Sequence, residues 1–156
     1  MRVRNFYNAL DMPLNVLSGV RSGMFIGVEH IGVAVKNVDE AVRIYRDVLG
    51  FKLEGIHVLK ERKVKVAFFS TGGDAHIELL EPIGSDSPVA KFLENRGEGI
   101  HHIAVKIKDI EAALEEYKRK GVVLVDDKPQ VGAEGAKIAF VHPKSTKGVL
   151  LELVMK

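Results

Sequence analysis

Residues 30–45 read HIGVAVKNVDEAVRIY, and residues 102–117 read HIAVKIKDIEAALEEY. The two stretches align without a gap at an offset of 72 residues, and six of the sixteen positions are identical. The same offset places the dipeptide Ala-Phe at 67–68 over the one at 139–140. Because a chance match is not expected to recur along the chain, we interpret the sequence as two copies of one module, and this repeat decides the fold.

Each copy predicts a short apolar strand followed by an amphipathic helix. In the first copy the strand covers 31–35, and Asn37 with Glu40 three residues later forms a capping-box pattern. Gly50 predicts the end of this helix. Apolar residues at helical spacing predict its buried stripe, which consists of Val38, Ala41, Val42, Tyr45, Val48 and Leu49. The second copy repeats the strand, cap and stop at 103–107, Asp109 and Gly121.

Three further strands close each copy. We place them near 52–59, 63–70 and 75–80 in the first copy, and near 122–126, 136–141 and 148–154 in the second. The predicted fold class is therefore α+β, with two tandem βαβββ modules. Curling of each module would form an eight-stranded, half-open, barrel-like sheet around a shared site, with the helices outside.

The repeat also sets the predicted domain boundaries. A single domain covers 24–156, with module one at about 26–84, a linker helix at about 87–97 and module two at about 99–155. Ser87 as a cap and Pro88 at the first helical position predict the linker helix. Residues 1–23 have no clear period and are predicted to be an N-terminal extension of uncertain role.

Composition narrows the function classes. The net charge is only +2 and lysines are interleaved with acidic residues, so no nucleic-acid partner is expected. No apolar run reaches the roughly 18 residues that a membrane span needs, so we expect no membrane association and a cytoplasmic location. There is no cysteine, which leaves nitrogen and oxygen as the ligands for any metal.

Four residues are candidate metal ligands because the repeat pairs them. His30 matches His102 at the start of the first strand, and Glu78 nearly matches Glu152 in the last strand, among apolar neighbours. Each carboxylate either faces water or is buried with a partner, because burying it unpaired costs several kcal/mol. Two imidazoles and two carboxylates suit a divalent cation such as Co²⁺, Mn²⁺, Ni²⁺, Fe²⁺ or Zn²⁺, with positions left open for substrate.

Longer motifs carry a family signal. They are VEHIGVAVKNVDEAVRIYRDVLGF at 28–51, HIELLEPIGSDSPVAKFLENRGEGIHHIAVKIKDI at 76–110 and KPQVGAEGAKIAFVHPKSTKGVLLEL at 128–153. In these motifs the chain resembles the vicinal oxygen chelate (glyoxalase/bleomycin resistance/dioxygenase) superfamily, and within it the methylmalonyl-CoA epimerase family. The segments GEGIHHIA and HPKSTKGVLLEL are the more specific part of the resemblance.

The resemblance implies an isomerase that interconverts (2R)- and (2S)-methylmalonyl-CoA through a metal-chelated enolate. It carries over His30, Glu78, His102 and Glu152 as ligands of one divalent ion per chain, Co²⁺ first, with Mn²⁺, Ni²⁺ and Zn²⁺ as alternatives. It also implies an acyl-CoA substrate and a homodimer. One departure matters: some family members carry a non-ligand glutamate as a base, and Val66 occupies that position here.

Either another group therefore transfers the protons, or the transfer runs through metal-bound carboxylates or water. Glu152 is the first candidate, as ligand and acid/base. His76 is the second, because it shares strand parity with Glu78 and can point into the same cavity, although a surface or supporting histidine is the alternative. His101 has the opposite parity to His102 and is expected to face away. Candidates for contact with the acyl-CoA are Lys144, Ser145 and Lys147.

Three other functions compete with the epimerase. A glyoxalase I-type lyase also isomerises at a metal held by His, Glu, His and Glu, so the ligands alone do not separate the two. An extradiol dioxygenase needs two histidines and one carboxylate, and the fourth ligand argues against it. A non-catalytic ligand-binding module on the same fold would not need all four positions filled.

Overall fold

The centre of the fold is an antiparallel strand pair with one strand from each copy of the repeat, β1 (Phe25–Ala34) and β5 (Gly99–Ile107). The structure, a computed structural model, describes residues 24–156. The extension predicted for residues 1–23 lies outside the described residues. The seam between the two copies therefore runs through the middle of the sheet.

Six more strands extend this pair on both sides. They are β2 (Lys52–Leu59), β3 (Val64–Ser70), β4 (His76–Pro82), β6 (Gln130–Val131), β7 (Lys137–Val141) and β8 (Leu150–Met155). The strand order is β2-β3-β4-β1-β5-β8-β7-β6, so one half of the sheet repeats the other. β4 runs parallel to β1 and β8 runs parallel to β5, while the remaining neighbours are antiparallel. The predicted eight-stranded sheet of two βαβββ units is confirmed.

Three α-helices flank the sheet, namely α1 (Val38–Arg43), α2 (Pro88–Arg96) and α3 (Ile110–Arg119). Asn37 Oδ1 accepts the amide of Glu40 at 2.9 Å, and Asp109 caps α3 in the same way. The Ser87 side chain accepts an amide of the first turn of α2. In the part of the chain from residue 24 onward, no helix has the length and apolar character to cross a membrane.

The helices of the two modules pack on the outer face of the sheet. Phe69 and Leu79 are fully buried in the cluster that includes α1, and Leu153 is fully buried in the matching cluster with α3. Each such side chain contributes roughly 1.5–3 kcal/mol when it leaves water. Because these two cores lie outside, the inner face of the curled sheet is free to line a cavity.

The end of the first helix differs from the predicted stripe. Ile44–Val48 is a π-helical turn, in which the Leu49 amide donates to the Ile44 carbonyl at 2.9 Å. A π turn holds one more residue than an α turn and so rotates the residues that follow it. As a result Val48 and Leu49, predicted to be buried, are 77% and 58% exposed.

The strand predicted near 122–126 is wrong. Leu124 makes only an isolated bridge to Val141, and the short edge strand of this module is β6 instead. A regular strand does not form at 122–126 because the Asp126 carboxylate accepts the Phe140 amide at 2.9 Å. In a regular strand pair, a backbone carbonyl would accept this hydrogen bond.

Candidate metal centre

The curl of the sheet encloses a cavity of about 790 Å³ between the two modules. All eight strands contribute side chains to its wall. This volume lies within the range of about 300–1,000 Å³ that is usual for small-molecule sites. The cavity is therefore large enough for the acyl end of a substrate.

The predicted ligands all line this wall, with exposed fractions of 7% for His30 and Glu78 and 4% for His102 and Glu152. The two carboxylates occupy equivalent places in the sheet. Glu78 pairs with Gly32 across β4 and β1, and Glu152 pairs with Ala104 across β8 and β5. The alternative in which the two carboxylates face water is therefore wrong.

The ligand atoms converge on one point. His30 Nε2 lies 2.8 Å from His102 Nε2. Glu152 Oε2 lies 3.4 and 3.1 Å from these nitrogens, and Glu78 Oε2 lies 3.4 and 3.7 Å from them. A cation with bonds of about 2.0–2.2 Å places adjacent ligand atoms roughly 3.0–3.4 Å apart. The two Glu152 distances and one Glu78 distance lie in this range, while the 2.8 Å and 3.7 Å separations lie just outside it. His30, His102 and Glu152 form the tightest group, and Glu78 is the more distant fourth.

Each of the two histidines has its other ring nitrogen engaged. Nδ1 of His30 bonds to Glu29, and Nδ1 of His102 lies 2.9 Å from Nδ1 of His101. With the proton on Nδ1, Nε2 presents a lone pair to the cavity. Two lone pairs and two carboxylates then face one another without a donor among them, an arrangement that a cation satisfies.

Burial and ion pairing have opposite effects on the charges at this centre. Burial lowers the pKa of His30, but hydrogen bonds to Glu152 and Glu29 outweigh it and raise the pKa to about 10. Burial raises the pKa of Glu152, but hydrogen bonds from His102 and His30 outweigh it and lower the pKa to about 2. For Glu78, burial prevails and raises the pKa. The carboxylates therefore attract positive charge, whether from a proton on His30 or from a cation.

His101 lines the cavity, so the prediction that it faces away is wrong. The register of β5 against β1 steps from Ile100 to His102, which makes His101 the extra residue of a β-bulge. A bulge breaks the alternation of faces and turns the extra side chain toward its neighbour. Burial, followed by the charge of His102, lowers the pKa of His101 to about 4, so it is a neutral imidazole at neutral pH.

Sequence reasoning missed Gly32, which makes room for a ligand. A Cβ built on Gly32 would lie 2.8 Å from Nε2 of His102 and closer still to two other ring atoms. The imidazole of His102 therefore lies directly against the backbone of β1. The repeat held a signal for this contact, because the counterpart of Gly32 is Ala104, also a small residue.

His76 faces the cavity, and the structure adds a partner for it. His76 pairs with His30 across β4 and β1, which sets the two side chains on the same face. Its Nε2 lies 3.2 Å from Oε2 of Glu54, a residue that sequence reasoning missed. Glu54 sits at a register shift of β2, and bulges of this kind re-aim side chains. Val66, at the position of the missing base, is a fully buried apolar part of the wall.

The three candidates for acyl-CoA contact lie elsewhere. Lys144, Ser145 and Lys147 are in the turn between β7 and β8 and do not line the cavity. Ser145 Oγ accepts the Val123 amide at 2.8 Å, and the Lys144 amide donates to Nδ1 of His142 at 3.0 Å. The structure thus brings together the four candidate metal ligands and His76 in one cavity, while the role of this turn stays a prediction.

The curled double module with two histidines and two glutamates at its centre defines a class of protein. The chain belongs to the Glyoxalase/Bleomycin resistance protein/Dioxygenase superfamily, whose sequence profile matches residues 29–140. Within this class it is similar to methylmalonyl-CoA epimerases. The mitochondrial methylmalonyl-CoA epimerase of Mus musculus is 39% identical over 127 residues, which cover 81% of this chain and 71% of that protein.

Solved structures agree with this similarity. The methylmalonyl-CoA epimerase of Mycobacterium tuberculosis is 33% identical with a TM-score of 0.81, covering 90% of this chain and 94% of that one. A Streptomyces coelicolor methylmalonyl-CoA epimerase in complex with 2-nitronate-propionyl-CoA is 39% identical with a TM-score of 0.78, covering 85% and 95%. The Lactoylglutathione lyase of Arabidopsis thaliana is more distant, at 27% identity over 130 residues. The family resemblance of the sequence is confirmed.

Proposed function

We propose that this chain is a metal-dependent isomerase that interconverts (2R)- and (2S)-methylmalonyl-CoA. The observation that carries the proposal is the buried convergence of two imidazole nitrogens and two carboxylates in one cavity. Similarity to methylmalonyl-CoA epimerases over most of the chain supports the choice of substrate.

The chemistry of this substrate suits the site. Its C2 hydrogen lies between a carboxylate and a thioester carbonyl, and loss of that proton leaves a planar enolate. A divalent cation at the centre supplies Lewis-acid polarisation of the substrate oxygens. The chain must then deliver a proton to the opposite face of C2, so it needs a proton carrier on each side. Val66 contributes a fully buried apolar side chain to the cavity wall, and an apolar wall favours exclusion of water from a bound substrate.

We assign the two proton carriers to Glu152 and His76. Glu152 reaches the centre from the second module. His76 lies beside His30 on the first module, and the Glu54 carboxylate at 3.2 Å orients its ring. His76 is on β4 of the first module and Glu152 is on β8 of the second, so the two groups lie on opposite sides of the β1–β5 pair. This placement supports one carrier for each face of C2.

Solvent exchange tests the proposal directly. We expect the protein, stripped with EDTA and reloaded with Co²⁺, to incorporate deuterium from D₂O at C2 of methylmalonyl-CoA, and to lose this activity when the cation is removed. NMR or mass spectrometry of the thioester measures the exchange, and parallel samples with Mn²⁺, Ni²⁺ and Zn²⁺ rank the metals. Absence of deuterium at C2 with every metal would sink the proposal.

Two histidine variants test the assignment of carriers. His76→Asn should slow epimerisation by about 10²-fold or more, the usual loss of a general acid/base. It should still exchange the C2 hydrogen of one epimer through Glu152, because only one face loses its carrier. His57→Asn is the matched control, since His57 also lines the cavity but contacts Phe68 instead of an acid. Equal losses in both variants would argue against His76.

A glyoxalase I-type lyase is the second candidate, since it would use the same four ligands. Incubation with methylglyoxal and glutathione in place of methylmalonyl-CoA separates the two functions. The identities favour the epimerase, because the lyase relative is 27% identical and the epimerase relative is 39% identical. A non-catalytic binding module would be favoured if the metal-loaded protein turned over neither substrate.

Three finer predictions belong to the same proposal. Lys144 and Lys147 would meet the phosphates of the CoA tail where it leaves the cavity, with Ser145 between them. Co²⁺ is the expected ion. A homodimer follows from the family resemblance, and analytical ultracentrifugation tests the oligomeric state. The cytoplasmic location expected from the sequence stays a prediction.

A further inference from the structure

A buried carboxylate next to the metal centre is not one of its ligands. Glu29 is 7% exposed, and both of its oxygens are engaged. Oε2 bonds to Nδ1 of His30, and Oε1 lies 2.7 Å from Nζ of Lys156. Glu29 is therefore held between the imidazole of a candidate ligand on one side and an ammonium group on the other.

An irregularity in strand β1 places the Glu29 side chain beside the His30 ring. Successive strand residues point to opposite faces, so Glu29 would normally face away from His30. The register of β1 against β5 steps from Val28 to His30, and Glu29 is the extra residue of this bulge. The bulge therefore brings a carboxylate and the neighbouring imidazole to the same side of the strand.

The second module has a bulge at the equivalent position, where the extra residue is a histidine instead of a glutamate. At the repeat offset of 72, Glu29 corresponds to His101, which is also the extra residue of a bulge and also lies against Nδ1 of the following histidine. Each ligand histidine is thus backed by the residue before it, by a carboxylate in one module and by an imidazole in the other.

We propose that Glu29 is a positioning residue of the metal centre, which holds the His30 proton on Nδ1 and leaves Nε2 free for the cation. A carboxylate acceptor fixes the tautomer and ring orientation of His30 and makes Nε2 a better ligand atom, whereas His102 has the imidazole of His101 at the same place instead of a carboxylate. The two histidines are therefore unequal ligands. This inference rests on the metal centre of the proposed function, and it does not depend on the substrate.

Lys156 is expected to contribute less than Glu29 to the position of the His30 ring. Its side chain is 56% exposed, and exposed ion pairs contribute little stability because water screens them. Its contact restricts rotation of the Glu29 carboxylate but is not needed for the bond to His30. We therefore place the main effect on Glu29.

Metal affinity measures the proposal. Co²⁺ binding, followed by competition with a chromophoric chelator, should weaken by about 10- to 100-fold in Glu29→Gln, the usual range for loss of such a partner. Glu116→Gln is the matched control, because Glu116 is equally buried and also pairs with a lysine, Lys120 at 2.6 Å, but lies on α3. Unchanged Co²⁺ affinity in a folded Glu29→Gln protein would overturn the proposal.

A second measurement needs no variant. In ¹⁵N-labelled Zn²⁺-bound protein, the ring nitrogens of His30 should show a proton on Nδ1 hydrogen-bonded to carboxylate, and a proton on Nε2 would refute the assignment. The outcome is separable from the epimerase proposal. A protein whose Co²⁺ affinity depends on Glu29 but which does not exchange the C2 hydrogen would support this inference and contradict the proposed substrate.

Discussion

Gly32 offers no ligand atom to the candidate metal centre, but its lack of a side chain leaves the space that the His102 ring occupies. The His102 imidazole rests on its Cα, and any side chain there would push the ring away from His30. The ligand atoms are only about 3 Å apart, so a shift of half an ångström changes the coordination geometry.

Gly32→Ala should therefore weaken Co²⁺ binding by at least about 10-fold, with a loss of roughly 1–3 kcal/mol in the free energy of unfolding from overpacking. The measurements are chelator competition and urea unfolding. Gly27→Ala on the same strand is the control, since a Cβ on Gly27 meets nothing within 4 Å. Similar Co²⁺ affinities for both variants would contradict the role of Gly32.

The convergence of the four candidate ligands could be predicted from the sequence because the repeat pairs them, and this pairing distinguishes His30 and His102 from histidines that merely occur in strands. The residues that support them could not be predicted in the same way. Glu29, Glu54 and His101 reach the cavity through bulges, and a bulge is a change of strand register that leaves no mark on the alternation of the sequence.

At the scale of elements, the first helix shows where periodicity stops being informative. α1 follows the predicted stripe through Val42, and the π turn that follows rotates Val48 and Leu49 into water. Helical spacing assumes one residue count per turn, so it cannot anticipate a turn with an extra residue. In the second module, Asp126 ended a strand in a comparable way by substituting a side-chain acceptor for a backbone one.

Two valines in this element test the rotation. Val38→Ala should lower the free energy of unfolding by about 1–3 kcal/mol, because Val38 is fully buried and its removal leaves a cavity. Val48→Ala should change it by no more than about 0.5 kcal/mol, because Val48 is 77% exposed. Chemical denaturation of both variants measures the difference, and equal losses would mean that Val48 packs as the helical stripe predicted.

At the scale of the whole molecule, the centre is a charge balance that joins the two modules. Without a cation, His30 carries the balancing proton. Its pKa is raised from 6.5 to about 10, so its contribution is complete below pH 6.5 and is lost as the pH rises toward 10. The pKa of Glu152 is lowered from 4.5 to about 2, so its contribution is present above pH 4.5 and is lost as the pH falls toward 2. Glu78, with a raised pKa, opposes folding above pH 4.5.

His101, whose pKa is lowered from 6.5 to about 4, opposes this trend only below about pH 6.5. The cation-free protein should therefore unfold more easily at about pH 8 than at about pH 6.5, as measured by urea unfolding in EDTA. Saturating Co²⁺ should reverse the order, because a cation binds the deprotonated imidazoles and competes with protons. His30→Asn should flatten the cation-free difference. An unchanged free energy of unfolding between the two pH values in wild-type protein would contradict this charge balance.

The seam between β1 and β5 joins two related modules within one chain, and the two modules can therefore carry different residues at equivalent positions. A polypeptide holding one module would need a second copy of itself to complete the centre, and that assembly would show identical groups to both sides of a bound carbon atom. When the two modules are joined in one chain, equivalent positions no longer have to hold the same residue. Glu29 and His101, which are equivalent in the repeat, are an example. Binding a cation needs similar ligands from both modules, whereas inverting a stereocentre needs a proton acceptor on one face of the carbon and a proton donor on the other. One continuous chain can therefore place equivalent histidines and glutamates around a cation and still present different proton carriers to the two faces of a substrate carbon.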